Sequence, residues 1–348
     1  MGPSRSGTVA IIGRPNVGKS TLLNAALEHP LSIVSSTPQT TRDAILGVAH
    51  SGNAEIGLLD TPGLHKARSE LGRVMNETAR EAARAADVVV FVTDLPTIGE
   101  RRANDEDEPR GRPLEPHAGD KTLLADIGEG KPTILVLNKI DRVADKGRIL
   151  PLIEAFTKLR EFAAVVPIAA LKNRGVDRVL DEVAKLLPEG PHRYGPEDMT
   201  DRPVRFFAAE YVREQILHAT SAEVPHAVAI TIDRFVEPLE GQGAVQVDAT
   251  ISVERPGQKR ILIGTGGEVL KRVGTQARLR IEELTGRKVN LKLWVRVVPD
   301  WRKSRQDLRE LGYGGAGLSG EEGTIRIDAE LDEELGESDQ DGGEQEDQ

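Results

Sequence analysis

The stretch "GRPNVGKS", Gly13 to Ser20, has the glycine, lysine and hydroxyl spacing of a phosphate-gripping loop. Gly13 and Gly18 let backbone N–H groups converge on phosphate oxygens, with Arg14, Pro15, Asn16 and Val17 spanning the turn between them. Lys19 can neutralise β- and γ-phosphates, the Ser20 hydroxyl can ligate Mg²⁺, and Thr21 follows as a further nucleotide contact. Two more stretches complete a hydrolytic site. In "DTPG", Asp60 is placed to hold the Mg²⁺ shell, and Thr61 and Pro62 lead to Gly63, whose amide can meet the γ-phosphate ahead of Leu64. "TTRD" supplies Thr41 as another Mg²⁺ ligand, so Ser20, Thr41 and Asp60 form the metal set, and Lys19, Thr41 and Gly63 are the catalytic candidates.

The base is chosen by "NKID", Asn138 to Asp141, with Lys139 inside it. The Asp141 carboxylate can accept from guanine N1–H and the 2-amino group together, whereas adenine offers neither donor. GTP is therefore expected rather than ATP.

These residues have to be positioned by a framework, and the sequence indicates one. From Thr8 to about Leu187, apolar runs ("TVAIIG", "EIGLLD", "DVVVFVTD", "PTILVLNK", "VVPIAAL") alternate with helical patterns, which predicts an α/β fold with a mostly parallel sheet and helices on both faces. The motifs fall at the carboxyl ends of those strands, where such sheets bind ligands. Gly99 to Gly119 is charged, proline-rich and nearly without apolar residues, and reads as a mobile surface insertion. A proline- and glycine-rich linker is expected between about Pro188 and Pro203. Beyond it come a helix near Val204 to Thr220, strands at "AVAITIDRF", "AVQVDATISVER" and "QKRILIG", helices through "EVLKRVGTQARLRIEELTG" and a strand "KVNLKLWVRVV", in the order α-β-β-α-α-β.

The chain has 348 residues, 38% hydrophobic and 29% charged, with no cysteine, which excludes disulfides, thiolate catalysis and Cys-ligated zinc. Its longest apolar run is stopped by Asp87 and Asp94, so no membrane span is expected and a cytoplasmic setting fits. The net charge of −10 is uneven. Residues 319 to 348 hold 13 Asp/Glu and one Arg, so residues 1 to 318 carry +2. Within them, residues 255 to 305 hold 14 Lys/Arg and 4 Asp/Glu, a footprint for a polyanion. That window also contains a second glycine-rich loop, "IGTGGEVLKR", Ile263 to Arg272.

The segments "GRPNVGKSTLLN", "TPQTTRD", "DTPGLHK", "NKID" and "DRPVRFFAAEYVREQI" resemble the Era family of bacterial GTPases over about Thr8 to Tyr313. The resemblance implies a P-loop GTPase domain over residues 1–190, a linker over 191–202, an α+β type II KH domain over 203–313 and an acidic tail over 314–348. It further implies binding near the 3′ end of 16S rRNA and assistance to small ribosomal subunit maturation by a monomer, with peripheral inner-membrane association in some members. A KH domain clamps a single-stranded backbone with a G-x-x-G loop, a role matched here by Gly264, Thr265, Gly266 and Gly267, with Lys271 and Arg272 adding charge. By the same resemblance, Ala169, Ala170 and Leu171 form the loop facing guanine O6 through the Ala170 amide, and Asn16 is the residue that holds K⁺ in cation-dependent relatives. Two departures stand out: no hydroxyl braces the Ala169 loop, and no basic residue occupies the glycine loop. Leu64 stands where Ras-like enzymes have a water-orienting glutamine, so slow intrinsic hydrolysis is expected. The alternative reading keeps the GTPase and docks the basic second domain on protein or anionic membrane.

Overall fold

The computed structural model describes residues 3–35, 37, 39–94, 115–143, 147, 149–195, 198–239 and 243–313. The expected acidic tail and residues 99–114 of the expected insertion lie outside these. The insertion was expected to run to Gly119, but Ala118 and Gly119 begin a helix, because Asp120 behind them is buried against Arg14 and Thr93.

The first half runs β1 (Arg5–Ile12), α1 (Lys19–Leu27), β2 (Ile45–Ser51), β3 (Ala54–Asp60), α2 (Glu70–Ala85), β4 (Val88–Asp94), α3 (Ala118–Asp126), β5 (Thr133–Asn138), α4 (Ile149–Thr157), β6 (Ala164–Pro167) and α5 (Val176–Leu186). The sheet order is β2-β3-β1-β4-β5-β6, parallel throughout except for β2 against β3. Strand alternation explains the layers. Val9 and Ile11 of β1 join a core with Leu22 and Leu23 of α1 and Val179 and Val183 of α5. Ala10 and Ile12 face the other way, into Ala79, Leu123, Leu124, Leu152 and Phe156 of α2, α3 and α4. Strand β2 was not anticipated; it reaches β3 through a turn in which Gly52 takes a φ of 55°.

The connection from Pro188 onward follows the edge of this sheet. Arg193 and Tyr194 donate their backbone N–H groups to the Glu55 carboxylate at 2.7 and 3.1 Å, and Val48 N–H donates to Met199 O at 2.9 Å. The Val48 bond covers part of the edge strand β2, and the bonds to Glu55 anchor the connection to β3.

The second half comprises α6 (Val204–Ala219), α7 (Val224–Ala227), β7 (Ala229–Val236), β8 (Val245–Val253), α8 (Pro256–Ile263), α9 (Glu268–Thr285), β9 (Val289–Val297) and α10 (Arg305–Glu310). Its sheet is β7-β8-β9, antiparallel then parallel, with Val212, Ile216, Val273 and Ala277 of α6 and α9 packed on Ala249, Ile251 and Val253. "QKRILIG" is a helix, not the expected strand. Pro256 occupies the first turn, Gln258 Oε1 accepts from the backbone N–H groups of Glu254 and Arg255 at 3.0 and 2.9 Å, and only Leu262 of the Ile261–Ile263 run is fully buried, while Ile261 is 53% exposed.

The two halves meet through an apolar cluster joining Leu71 and Met75 of α2 to Ala229, Trp301, Leu308, Leu311 and Tyr313. Arg42 crosses the same junction, 4% exposed, donating to Val228 O at 2.5 Å, Pro225 O at 3.2 Å and Tyr313 Oη at 3.2 Å. Its guanidinium lies 5.9 Å from each ring centroid of the stacked Trp301–Tyr313 pair.

Candidate functional site

A cavity of about 440 Å³ lies at the carboxyl ends of β1, β3 and β5, lined by Pro15, Asn16, Gly18, Lys19, Ser20, Thr21, Gly63, Asn138, Lys139, Asp141, Ala170 and Leu171, with Thr41 and other residues of 33–41 closing one side. Sequence-distant motifs thus converge on one space. Gly18 adopts a φ of 101° just before α1, and a Cβ there would fall 2.2 Å from Asn138 Nδ2, so only glycine fits. At Gly63 a Cβ would meet the Pro15 backbone at 2.8 Å.

Lys19 is 6% exposed and donates to Arg14 O at 3.1 Å. Burial lowers its pKa to about 8, against the pull of Asp60; an incoming phosphate would restore the charge. Asp60 is fully buried, and its Oδ2 accepts from Ser20 Oγ at 2.6 Å, Ser32 Oγ at 3.1 Å and Thr41 Oγ1 at 3.3 Å. Oδ1 has no partner, and burial raises the carboxyl pKa despite Lys19. A buried carboxylate with one oxygen held by three hydroxyls and the other unpartnered is a hard donor set that fits Mg²⁺. Ser32 belongs to no motif and joins this cluster only through the fold.

Asn138 ties three loops together: Nδ2 donates to Val17 O at 2.9 Å, while Oδ1 accepts from Lys139 N at 2.8 Å and Ala170 N at 3.0 Å. Lys139 reaches back to Asn16 O and to Asp94, each at 2.7 Å. Asp141 pairs with Lys172 at 3.0 Å, whose hydrogen bond lowers its pKa and keeps the acceptor ionised.

Not every expected residue turns its side chain to the cavity. The Arg14 guanidinium turns away to Asp94 and Asp120, both at 2.8 Å, so only the backbone of this residue faces the loop. Val17 and Thr61 are fully buried, with Thr61 Oγ1 donating to Ile11 O at 2.7 Å. Leu64 is buried among Ala10, Ile12 and Phe91 and does not line the cavity. The Ala170 amide is engaged by Asn138 rather than held ready for O6 alone. Gly13, Pro62 and Ala169 do not line the cavity either; they shape it from behind, Gly13 because any Cβ would strike Val92 O at 2.2 Å.

The second loop is built differently. Gly264, Gly266 and Gly267 have φ of 73°, 59° and 81° between α8 and α9. A Cβ at Gly264 would press Val269 Cγ2 at 2.6 Å, but Gly266 and Gly267 face open space. Thr265, Lys271 and Arg272 are exposed around them. Composition alone gave no sign of an exposed aromatic, yet Trp294 is 49% exposed on β9. Leu293 and Val295 pack toward the helices, so by strand alternation Trp294 points to the opposite face, away from the glycine loop.

The fold and these two loops define a P-loop nucleotide-binding protein joined to a KH module. The family model described as 50S ribosome-binding GTPase matches residues 8–139, and the KH domain model matches residues 223–302. The chain is 43% identical over 312 residues to GTPase Era of Stenotrophomonas maltophilia, covering 89% of this chain and 98% of that one. It is 42% identical over 314 residues to GTPase Era of Staphylococcus haemolyticus, covering 90% and 98%. A crystal structure of Era with MgGDPNP and nucleotides 1506–1542 of 16S ribosomal RNA superposes with a TM-score of 0.79 at 37% identity, covering 89% of this chain and 99% of that one. A variant of Aquifex aeolicus Era bound to GDP and AlF₄⁻ gives 0.78 at 38% identity, with the same coverage. The chain belongs to the Era family of GTPases and is a GTP hydrolase.

Proposed function

We propose that this chain is a GTP-dependent switch that grips the 3′ region of 16S rRNA and assists maturation of the small ribosomal subunit. In the nucleotide site, Lys19 and the loop amides of residues 13–20 hold the β- and γ-phosphates, Gly63 N–H meets the γ-phosphate, and Asp141 reads guanine. Ser20, Thr41 and Asp60 would hold Mg²⁺, which when bound offsets phosphate charge. Leu64 is apolar and buried, so no side chain at that position aligns water; hydrolysis is slow until RNA, a ribosomal partner or K⁺ near Asn16 completes the site. Replacing K⁺ by Na⁺ lowers turnover if Asn16 has that role, and unchanged turnover removes it.

The observation that carries the reading is the second loop: three glycines at positive φ, two of them facing open space, near Lys271 and Arg272, on a fold that matches an Era captured on 16S rRNA over 89% of this chain. Backbone N–H groups there can bind RNA phosphates while base edges confer sequence preference. The division of the chain into residues 1–190, 191–202, 203–313 and 314–348 is part of the same proposal. Crosslinking the full chain to total RNA, with GTP or GDP present, should recover the 3′ end of 16S rRNA. Recovery of no RNA at low ionic strength, or sedimentation with anionic vesicles instead, would overturn it.

A further inference from the structure

At the end of β3 opposite Asp60, beside the β2–β3 turn, three metal-capable side chains converge outside the nucleotide site. His50 and Glu55 are direct cross-strand partners on β2 and β3, and His192 is delivered to them by the connection that leaves α5. One ligand atom from each lies within 4.8 Å of the others. The imidazoles are exposed and the carboxylate is 1% exposed.

Glu55 is oriented before any ion arrives. Its Oε1 accepts from Ser6 Oγ at 3.0 Å and Arg193 N at 2.7 Å, and its Oε2 accepts from Tyr194 N at 3.1 Å. A carboxylate has about four acceptor positions, so one remains, on Oε2. The N–H groups of Arg193 and Tyr194 also lower its pKa against the effect of burial, which keeps it ionised. His192 Nε2 lies 3.2 Å from Asn53 O. A ring N–H donated to that carbonyl leaves Nδ1 as the lone-pair nitrogen, the arrangement by which outer groups orient histidine ligands. The two rings are 6.0 Å apart and inclined at 59°, so their nitrogens can turn toward a common point without stacking.

We propose that His50, Glu55 and His192 bind a zinc-class transition-metal ion, with water completing the shell. Two imidazoles and one carboxylate suit Zn²⁺, Cu²⁺ or Ni²⁺ and disfavour the hard cations Mg²⁺ and Ca²⁺. A tetrahedral ion with bonds of about 2.0–2.1 Å sets its ligand atoms roughly 3.3 Å apart. The ligand atoms lie within 4.8 Å of one another, so the exposed imidazoles would have to turn inward to close on an ion. The ion would clip the inter-half connection to the β2–β3 hairpin, adding a metal bridge to the two N–H bonds already made with Glu55. It is separate from the Mg²⁺ set of Ser20, Thr41 and Asp60 and takes no part in hydrolysis.

The test is titration of the full chain with Zn²⁺ by calorimetry and with Co²⁺ by visible absorption, beside His50→Ala, His192→Ala and the double variant. The expected result is one ion per wild-type chain, affinity at least about tenfold weaker in each single variant, and no Co²⁺ ligand-field band in the double variant. Zn²⁺ should also slow proteolysis between residues 190 and 203 in the wild type only, with Mg²⁺-supported GTP turnover equal in all four proteins. Should an alanine variant lose helicity by circular dichroism, His50→Gln with His192→Gln replaces it. Equal Zn²⁺ affinity in wild type and a folded double variant, or no Zn²⁺ binding by the wild type, overturns the proposal.

Discussion

The two glycine loops differ in what demands their glycines. In the first, Gly18 is required by crowding as well as by its φ of 101°, because Asn138 occupies the space a side chain would need. In the second, Gly266 and Gly267 are required only by backbone angle, and nothing lies near them. The first loop is locked by Lys19, Asn138 and Lys139, each bonded to a loop carbonyl. No comparable side-chain bonds fix the second among the described residues. A small ligand enclosed on all sides rewards a preorganised cradle, whereas a strand laid across a surface needs only exposed donors.

That contrast can be broken at either end. The largest effect is expected from Gly18→Ala, whose Cβ collides with Asn138; GTP affinity should fall by about 100-fold or more, roughly 2.7 kcal/mol, in a nucleotide titration, while RNA binding by the second loop persists. Asp141→Asn should cost GTP affinity about 10²-fold and favour xanthine nucleotides, since a charge-assisted acceptor is replaced by an amide; competition titration measures it. Arg42→Ala should destabilise the junction of the halves by about 2 kcal/mol, because several buried carbonyls lose their donor, and urea unfolding should then broaden or split. Gly266→Asp places a carboxylate in open space at a φ that Asp tolerates, so RNA affinity should drop about tenfold with GTP turnover unchanged. The smallest effect concerns Asp43. Burial first, and then Glu210, raise its pKa from 3.8 to about 6. The folded state therefore holds this proton more tightly than the unfolded one, and the associated stability, full below about pH 4, is lost as pH rises to about 6. Asp43→Asn should flatten that slope in thermal melts.

The convergence of these motifs on one cavity was legible because each is short, fixed in spacing and placed at a strand end, and the fold needed only to bring the ends together. What escaped was set by partners far away in sequence. The Arg14 side chain has the look of a phosphate ligand until Asp94 and Asp120 are seen to claim it. Leu64 adjoins a catalytic motif but belongs to the core. Ile261, Leu262 and Ile263 form an apolar run that imitates a strand, and the capping signals at Pro256 and Gln258 carry more weight. His192 lies in a linker that composition marks as loop, and its neighbours on β2 and β3 are invisible without the hairpin.

Arg42 and Thr41 are consecutive residues, their Cα atoms about 3.8 Å apart across a trans peptide. Thr41 reaches the Asp60 cluster, and Arg42 is threaded beside two stacked rings of the other half. The chain has no slack between these grips, so any displacement of Thr41 would be felt at the Arg42 guanidinium beside the two rings. A single peptide unit thus joins the hydroxyl cluster of the first half to the aromatic pair of the second.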